Sequence, residues 1–456
     1  MPKSGHGVIH MVPTVKLRVP NLNPRQKIII IILLTGVIIV AMVYNAWLNK
    51  IGPVMQDKIL ALINERVNGR VTVEKIDLSF DGTITLKQLA LYDKKNNLIA
   101  SAEKILLEFS PFDLLSGDVG IGMIRQITVE KPLLVLEKQN GVYNFEQIFV
   151  TTPDQSGTGS HFKGEVAIDQ GVVCLETLSK YLLEDISGNL NFAKYPVFTL
   201  ELAGRKSSIR LTADGEWSFN DVGSVTVRTT KALLTDMDLA WLKASDIDIT
   251  AGMVNGLKID VVKQGGKIRY QGEGTVADLA GRLGGYEVAQ GTGKVKIKDD
   301  TVAIADASLR FNGQPVSFTG TLNSSDTKLD FDVTSNGFDL SVITGANFRG
   351  AMQLQAKVQG TLATPQASGQ FTVPRGEFGS FAFTAGSGNF AYTNGTLTLN
   401  NTRMTMWDGT LFINGTVLPA GQRYNLTVTG SNIDSALLSD KEIRGRADFI
   451  ATVSGQ

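Results

Sequence analysis

The chain has 456 residues, with 44 Lys and Arg against 44 Asp and Glu, so it carries no net charge at neutral pH. No basic stripe follows its first residues, which argues against nucleic acid as a partner. Its one cysteine, Cys174, excludes an intrachain disulfide and a cysteine-based metal site; its three histidines, His6, His10 and His161, leave little for histidine-dependent catalysis or zinc binding.

Residues 1–27 form a basic tail that holds Lys3, Lys16, Arg18, Arg25 and Lys27 and no acid. Residues 28–48 read "IIIIILLTGVIIVAMVYNAWL", with thirteen Ile, Leu and Val and no charge. As a helix they span roughly 30 Å, the thickness of a bilayer core. At about −0.5 kcal/mol each, the thirteen contribute roughly −6 kcal/mol toward insertion. Tyr44 and Trp47 stand where an interfacial aromatic belt belongs, and Arg25 and Lys27 mark the opposite interface. The positive-inside rule then places the tail in the cytoplasm and everything after Leu48 across the membrane. The run is too long for a signal-peptide core, and no A-x-A site follows it. The expectation is a single-pass transmembrane helix.

Residues 53–68, "PVMQDKILALINERVN", read as a short amphipathic helix. Pro53 suits its first turn, and Ile59, Leu60, Ile63 and Val67 share one side. Such a helix either caps the end of a sheet or lies at the membrane interface. Residues 151–162, around "TPDQSGTGSH", have the composition of a linker.

Elsewhere the pattern has period two. Ile84 and Leu86 are followed by Leu89 and Leu91; Phe198 precedes Leu200 and Leu202; Val295 and Ile297 are followed by Val302 and Ile304. Further on come Met352, Leu354, Ala356 and Val358, and then Leu397 and Leu399 followed by Met404 and Met406. Each strand therefore has one oily face and one wet face. Asn-Gly or Asp-Gly pairs begin at residues 81, 140, 214, 255, 312, 336, 394, 408 and 414, and each predicts a hairpin turn.

The phrase "SNGFDLSVI" (335–343) returns as "GSNIDSALL" (430–438), and "RGAMQLQAKVQG" (349–360) returns as "RGRADFIATVSG" (444–455), both at the same offset. An earlier copy, "TDMDLAWL" (235–242), is followed by a return about one hairpin longer. This is an internal repeat, the mark of a stacked architecture. In each copy the Asp (Asp238, Asp339, Asp434) is placed to cap a short helical turn.

Motifs that suggest other chemistry fail on spacing. "GTGK" (291–294) has Val288 and Val295 where a phosphate loop needs Gly and Ser or Thr, so it reads as a hairpin turn. "GEGTVADLAG" (272–281) has Ala277 in place of the third glycine of a dinucleotide fingerprint. Asp299, Asp300 and Asp306 lack calcium-loop spacing and read as solvated turn acids. The sequons at Asn394 and Asn414 read as type I′ turns, and Cys174 as an inert strand residue. No acid–base or nucleophile constellation stands out: the chain reads as a non-enzyme without metal or cofactor.

An oily strand face must be covered. Alternation leaves open a sandwich or solenoid with a dry core, a closed barrel, or an elongated curled antiparallel sheet whose apolar face is filled by a guest. Roughly twenty-five strands about 4.8 Å apart would make a groove on the order of 120 Å long, suited to the acyl chains of lipids. Its lining would include Ile84, Leu86, Leu200, Leu202, Val295, Ile297, Val302, Ile304, Leu354, Ala356, Val358, Leu397 and Leu399.

Residues 71–149 resemble the N-terminal module of the AsmA/TamB-like envelope proteins. The resemblance is carried by the order of Leu86, Leu89, Leu91, Asp93, Leu114, Leu115, Gly117, Ile127, Pro132, Leu134, Leu136, Gly141 and Asn144. Residues 360–379, "GTLATPQASGQFTVPRGEFG", are similar to the TamB style of repeat. The resemblance implies a mainly β, taco-like repeat array behind an inner-membrane anchor. It divides the chain into an N-terminal module (49–150), the linker, and β-groove repeats (163–456). It further implies movement of phospholipid across the periplasm to the outer membrane, in support of outer-membrane biogenesis, with a BamA-like outer-membrane protein as a partner. Full TamB-like proteins end in a C-terminal domain, so the repeats are expected to be incomplete at the C-terminus, as in a truncated or split member. The alternative is an adaptor of the translocation and assembly module, aiding insertion or secretion of outer-membrane proteins by strand addition.

Overall fold

The computed structural model describes residues 67–79, 81–109, 121–139, 142–144, 161–175, 181–218, 222–237, 246–265, 267–339, 341–344, 348–418, 423–437 and 444–455. The expected transmembrane helix at 28–48, almost all of the amphipathic helix at 53–68, and most of the linker lie outside them. Among the described residues no helix is long and apolar enough to cross a membrane.

The strands are β1 (Arg70–Thr72), β2 (Lys75–Leu78), β3 (Thr83–Tyr92), β4 (Leu98–Phe109), β5 (Ile124–Glu130), β6 (Leu133–Leu136), β7 (Lys138–Gln139), β8 (Val142–Tyr143), β9 (Glu165–Leu175), β10 (Tyr181–Asn191), β11 (Val197–Lys206), β12 (Ile209–Ser218) and β13 (Val222–Leu233). They continue as β14 (Ile247–Gln264), β15 (Lys267–Leu283), β16 (Tyr286–Lys298), β17 (Thr301–Phe311), β18 (Gln314–Asn323), β19 (Lys328–Asp339), β20 (Phe348–Thr361), β21 (Pro365–Phe378), β22 (Phe381–Thr393), β23 (Thr396–Met406), β24 (Gly409–Leu418), β25 (Arg423–Asp434) and β26 (Arg446–Gly455). All but β7 and β8, which pair with each other, belong to one curled 24-stranded sheet. From β9 to β26 each strand pairs antiparallel with the next in the chain. The exception to antiparallel order lies at the junction, where β9 runs parallel to β5 and β6. One sheet therefore joins the segments on either side of residues 145–160.

Period-two alternation explains the strands, but their shape comes from what interrupts it. Gln88, Asp185, Gln290, Asp306, Asn401 and Asn432 lie inside strands and have φ between 51° and 56° except Asn401 at 50°. Asn and Asp tolerate this left-handed region better than most residues. Register shifts fall beside them, for example between Ile304 and Ala307 and between Leu399 and Thr402. These are β-bulges, which bend a strand and restore its face after one extra residue. That is why Leu86 is followed by Leu89, and Leu399 by Met404, on one side of a single strand. The backbone N–H groups next to the bulges find side-chain acceptors on the following strand. Asn401 N donates to Asn414 Oδ1 at 2.7 Å, and Asn432 N to Asp448 Oδ1 at 2.7 Å. A band of bulges thus runs along the sheet and divides each long strand into two limbs.

The repeat has a period of six strands, since β13, β19 and β25 each end in a short helical turn. In the second copy Asp339 Oδ1 accepts from Ser341 N at 2.9 Å, opening a one-turn helix, α1 (Ser341–Thr344). In the third, Asp434 Oδ1 accepts from Ala436 N at 3.0 Å. The capping role expected of these two residues is present; Asp238 lies outside the described residues. Among the described residues the first copy shows no extra hairpin. Its added length goes into β14 and β15, of 18 and 17 residues.

Several expected turns are strand interior instead. Asn312-Gly313 and Asn394-Gly395 are two-residue hairpin turns with both φ values positive. The pairs beginning at 214, 255, 336 and 414, and the "GTGK" stretch, sit within strands. Asn414 is therefore not a turn residue; its side chain supports the bulge at Asn401. Asp299 and Asp300 do form a turn, whereas Asp306 is a bulge.

Candidate functional site

Residues directly opposite one another on paired strands share a face, so the register shows which side chains lie together. One unbroken row runs Leu86, Ile105, Val129, Ile168, Gly188, Leu202, Ala213, Val227, Ile259, Gly272, Ile297, Val302, Leu322, Leu329, Gly360. A parallel row runs Val295, Ile304, Gly320, Phe331, Val358, Ala367, Tyr392, Leu397, Val417. Ile84 and Leu200 flank the first row. Leu354, Ala356 and Leu399 continue the same face beside the second. All thirteen residues nominated from the sequence lie on one face, and on one limb of it. We call this limb 1; it ends in the turns at 299–300 and 394–395.

Between β15 and β26 the positions in register with this face hold no Asp, Glu, Lys or Arg. The charges are on the other face, where they pair: Lys294 with Asp306 at 2.8 Å, and Arg205 with Glu184 at 2.9 Å. Lys357 pairs with Asp330 and Asp332. The Lys294 ammonium holds the Asp306 carboxyl below the usual carboxylate range, and Asp306 in turn raises Lys294. Such exposed pairs contribute little stability, but they fix which face meets water.

Among the described residues no second layer covers the apolar face. Extensive contacts join only ladder neighbours, apart from the helical turns that touch β14 and β20. A sandwich would require contacts between strands far apart in order, and none of that extent exists among the described residues. Yet the apolar face is buried or half-buried while its opposite is exposed, as in the alternating burial of β12 and β18. A single layer gains that asymmetry by curling with its apolar face inside.

The two limbs differ. Beyond the bulges, limb 2 carries a continuous packed cluster of Phe338, Met352, Val373, Phe383, Met404, Met406, Leu411 and Ile433, all under 9% exposed. On limb 1 the residues from Leu200 to Leu399 are half-buried. Ile84 and Leu86 are exceptions, at 0% and 2% exposure, because β3 lies between other strands and packs with Phe109. They fill the N-terminal end of the groove.

Sequence reasoning did not foresee the glycines of this face. Large rings lie flat over them: a Cβ on Gly388 would meet the Phe371 ring at 2.9 Å, and one on Gly376 would collide with Phe383. A ring laid over glycine projects less into the groove than one standing upright. Three polar side chains of the face sit near the bend, while Lys206 and Lys263 lie on it nearer the strand ends. Thr229 Oγ1 donates to Lys231 O at 3.0 Å, Ser335 Oγ donates to Pro315 O, and the Thr402 hydroxyl is buried without a hydrogen-bond partner. Among the described residues no group of three His, Cys, Asp or Glu could hold a metal ion. The interface residues Arg25, Lys27, Tyr44 and Trp47 lie outside the described region.

Comparison of the chain with protein-family models, with curated proteins and with solved structures finds no match.

Proposed function

We propose that the protein carries phospholipid along its apolar inner face. It would be anchored in the inner membrane by residues 28–48, with the sheet in the periplasm, supporting outer-membrane biogenesis. The observation that carries this reading is an apolar face that no second layer of the described residues covers; it runs strand to strand for on the order of 100 Å at about 4.8 Å per strand, and from β15 to β26, roughly 50 Å, its positions hold no Asp, Glu, Lys or Arg. A surface of this kind in water is unfavourable in proportion to its area and marks a site for an apolar partner. Acyl chains suit it because they are long, featureless and need no hydrogen bond. Each CH₂ moved from water onto the face gains up to about 0.8 kcal/mol. Lipid would slide, and no covalent step is involved. A BamA-like outer-membrane protein is the proposed receiver.

The test is the pair Val302→Asp with Leu354→Asp, two half-buried positions of limb 1. Phospholipid recovered with the purified protein should fall severalfold while hydrogen exchange shows the sheet still formed. Unchanged bound phospholipid in a folded double variant would sink the proposal.

A second reading is an adaptor for outer-membrane proteins that would bind a client strand by strand addition.

A further inference from the structure

The two rims of the groove are chemically unlike. Limb 1 ends in polar turns between β16 and β23: Lys298 to Thr301, Asn323 to Lys328, Thr361 to Thr364, and Thr393 to Thr396. Limb 2 ends, over the same stretch, in turns flanked by large apolar side chains, of which those at 283–286 and 378–381 are exposed. Leu283 and Tyr286 are 44% and 43% exposed, and Phe378 and Phe381 are 54% and 44% exposed. Phe311 stacks obliquely on Tyr286 at 5.1 Å, and Trp407 meets Phe381 edge-on at 5.2 Å.

The limbs also differ in what they can receive. Limb 2 is packed, whereas limb 1 is half-open. On β17, limb 1 runs from Thr301 to the bulge at Asp306, about 17 Å at ~3.3 Å per residue. A bilayer core is ~30 Å thick, so one leaflet's chains reach about 15 Å. On β17, and on β23 from Thr396 to the bulge at Asn401, an acyl chain laid along the strand from the polar rim therefore ends near the bend.

We propose that a phospholipid binds with fixed polarity across the groove. Its head group rests on the polar rim of limb 1, its chains lie along limb 1, and its methyl ends reach the bulge band. The inference rests on the carrier reading and adds to it an orientation. The polar rim presents Lys298 and Asn394, the Thr361 and Thr364 hydroxyls, which bond each other at 2.9 Å, and Lys328, which pairs with Asp326 at 2.6 Å. A phosphate or glycerol ester there meets polar groups of both signs, with Asp299 and Asp300 beside them. The aromatic rim instead shields the methyl-end side of the groove. Tyr270 and Tyr424, which flank the polar stretch, each present an apolar ring with a polar tip.

The experiment uses the full chain with two photoreactive phosphatidylethanolamines, one carrying a diazirine in the head group and one at the chain end, and crosslinked peptides mapped by mass spectrometry. Head-group label should favour the turns at 298–301, 323–328, 361–364 and 393–396 over those at 283–286, 311–314, 378–381 and 407–409. The expected ratio is at least about tenfold, equivalent to a preference of ~1.4 kcal/mol. Chain-end label should centre on peptides holding Asp306, Leu399 and Asn401. Head-group label shared equally between rims, or favouring the aromatic one, overturns the orientation and leaves the carrier reading standing. Absence of inner-face label from both probes overturns the carrier reading and the orientation with it.

Discussion

Deleting Asn401 tests whether the bulges shape the sheet. Asn401 is the extra residue of β23, so its removal restores regular alternation, and Leu399, Thr402, Met404 and Met406 keep their side and their partners on β24. What is lost is the bend and the hydrogen bond from Asn401 N to Asn414 Oδ1. That bond contributes about 0.5–1.5 kcal/mol. A straightened β23 also fits its curved neighbours less well, and repacking around Met404 and Met406, now 6% and 4% exposed, costs about 1–3 kcal/mol more. Asn401→Gly is the control, because glycine accepts the 50° φ and keeps the backbone N–H that bonds Asn414; it should stay within about 1 kcal/mol of the parent. A stacked array opens locally rather than all at once, so the assay is hydrogen-exchange mass spectrometry across β22–β24, supported by urea unfolding. The deletion should strip protection there while β9–β13 stay protected. A deletion variant with parental protection in β22–β24 and a parental urea midpoint would refute the reasoning.

Two further outcomes follow from the geometry. Gly388→Ala forces a Cβ against the Phe371 ring and the Thr402 hydroxyl; we expect a loss of about 1–3 kcal/mol, read as faster exchange in β21–β23, and parental exchange would show that the rings do not lie on the glycines. Asp77, Asp306 and Asp330 are held below the ordinary value of 3.8 by the hydrogen bonds of Lys75, Lys294 and Lys357. A carboxyl depressed on folding adds stability that is complete above its unfolded pKa and lost as pH falls through the folded one. Thermal stability should therefore be flat from about pH 5 to 8 and decline slightly below about pH 4, with the decline weakened by molar salt; a maximum below pH 4 would contradict the pairing.

The sequence makes the strands and their oily faces legible because alternation is a local signal. Even the slip from Leu86 to Leu89, and from Leu399 to Met404, can be read in it. Its meaning is not local: the slip marks a bulge only once the neighbouring strand is known, since a hairpin turn produces the same gap. Asn-Gly pairs misled for a related reason. Asn312-Gly313 closes a hairpin and Asn414-Gly415 lies mid-strand, yet both satisfy the same short-range rule, and only the ladder decides between them. The parallel contact of β9 with β5 and β6 depends on a crossover that no periodicity encodes. The residues nominated for the groove do share one face, because period two carries that information along each strand. Which limb is packed and which is open depends on Phe371, Phe383 and the glycines beneath them, a relation between strands. Asp339 and Asp434 were legible as caps because a cap needs only the residues just after it.

The most direct test of a lipid-carrying groove is to purify the full chain with a photo-crosslinking residue at Leu354 and identify by mass spectrometry what is bound and what is crosslinked. Phospholipid at one or more molecules per chain, crosslinked at position 354, is the predicted result. A folded protein with no bound lipid and no lipid crosslink at Leu354 would contradict the account.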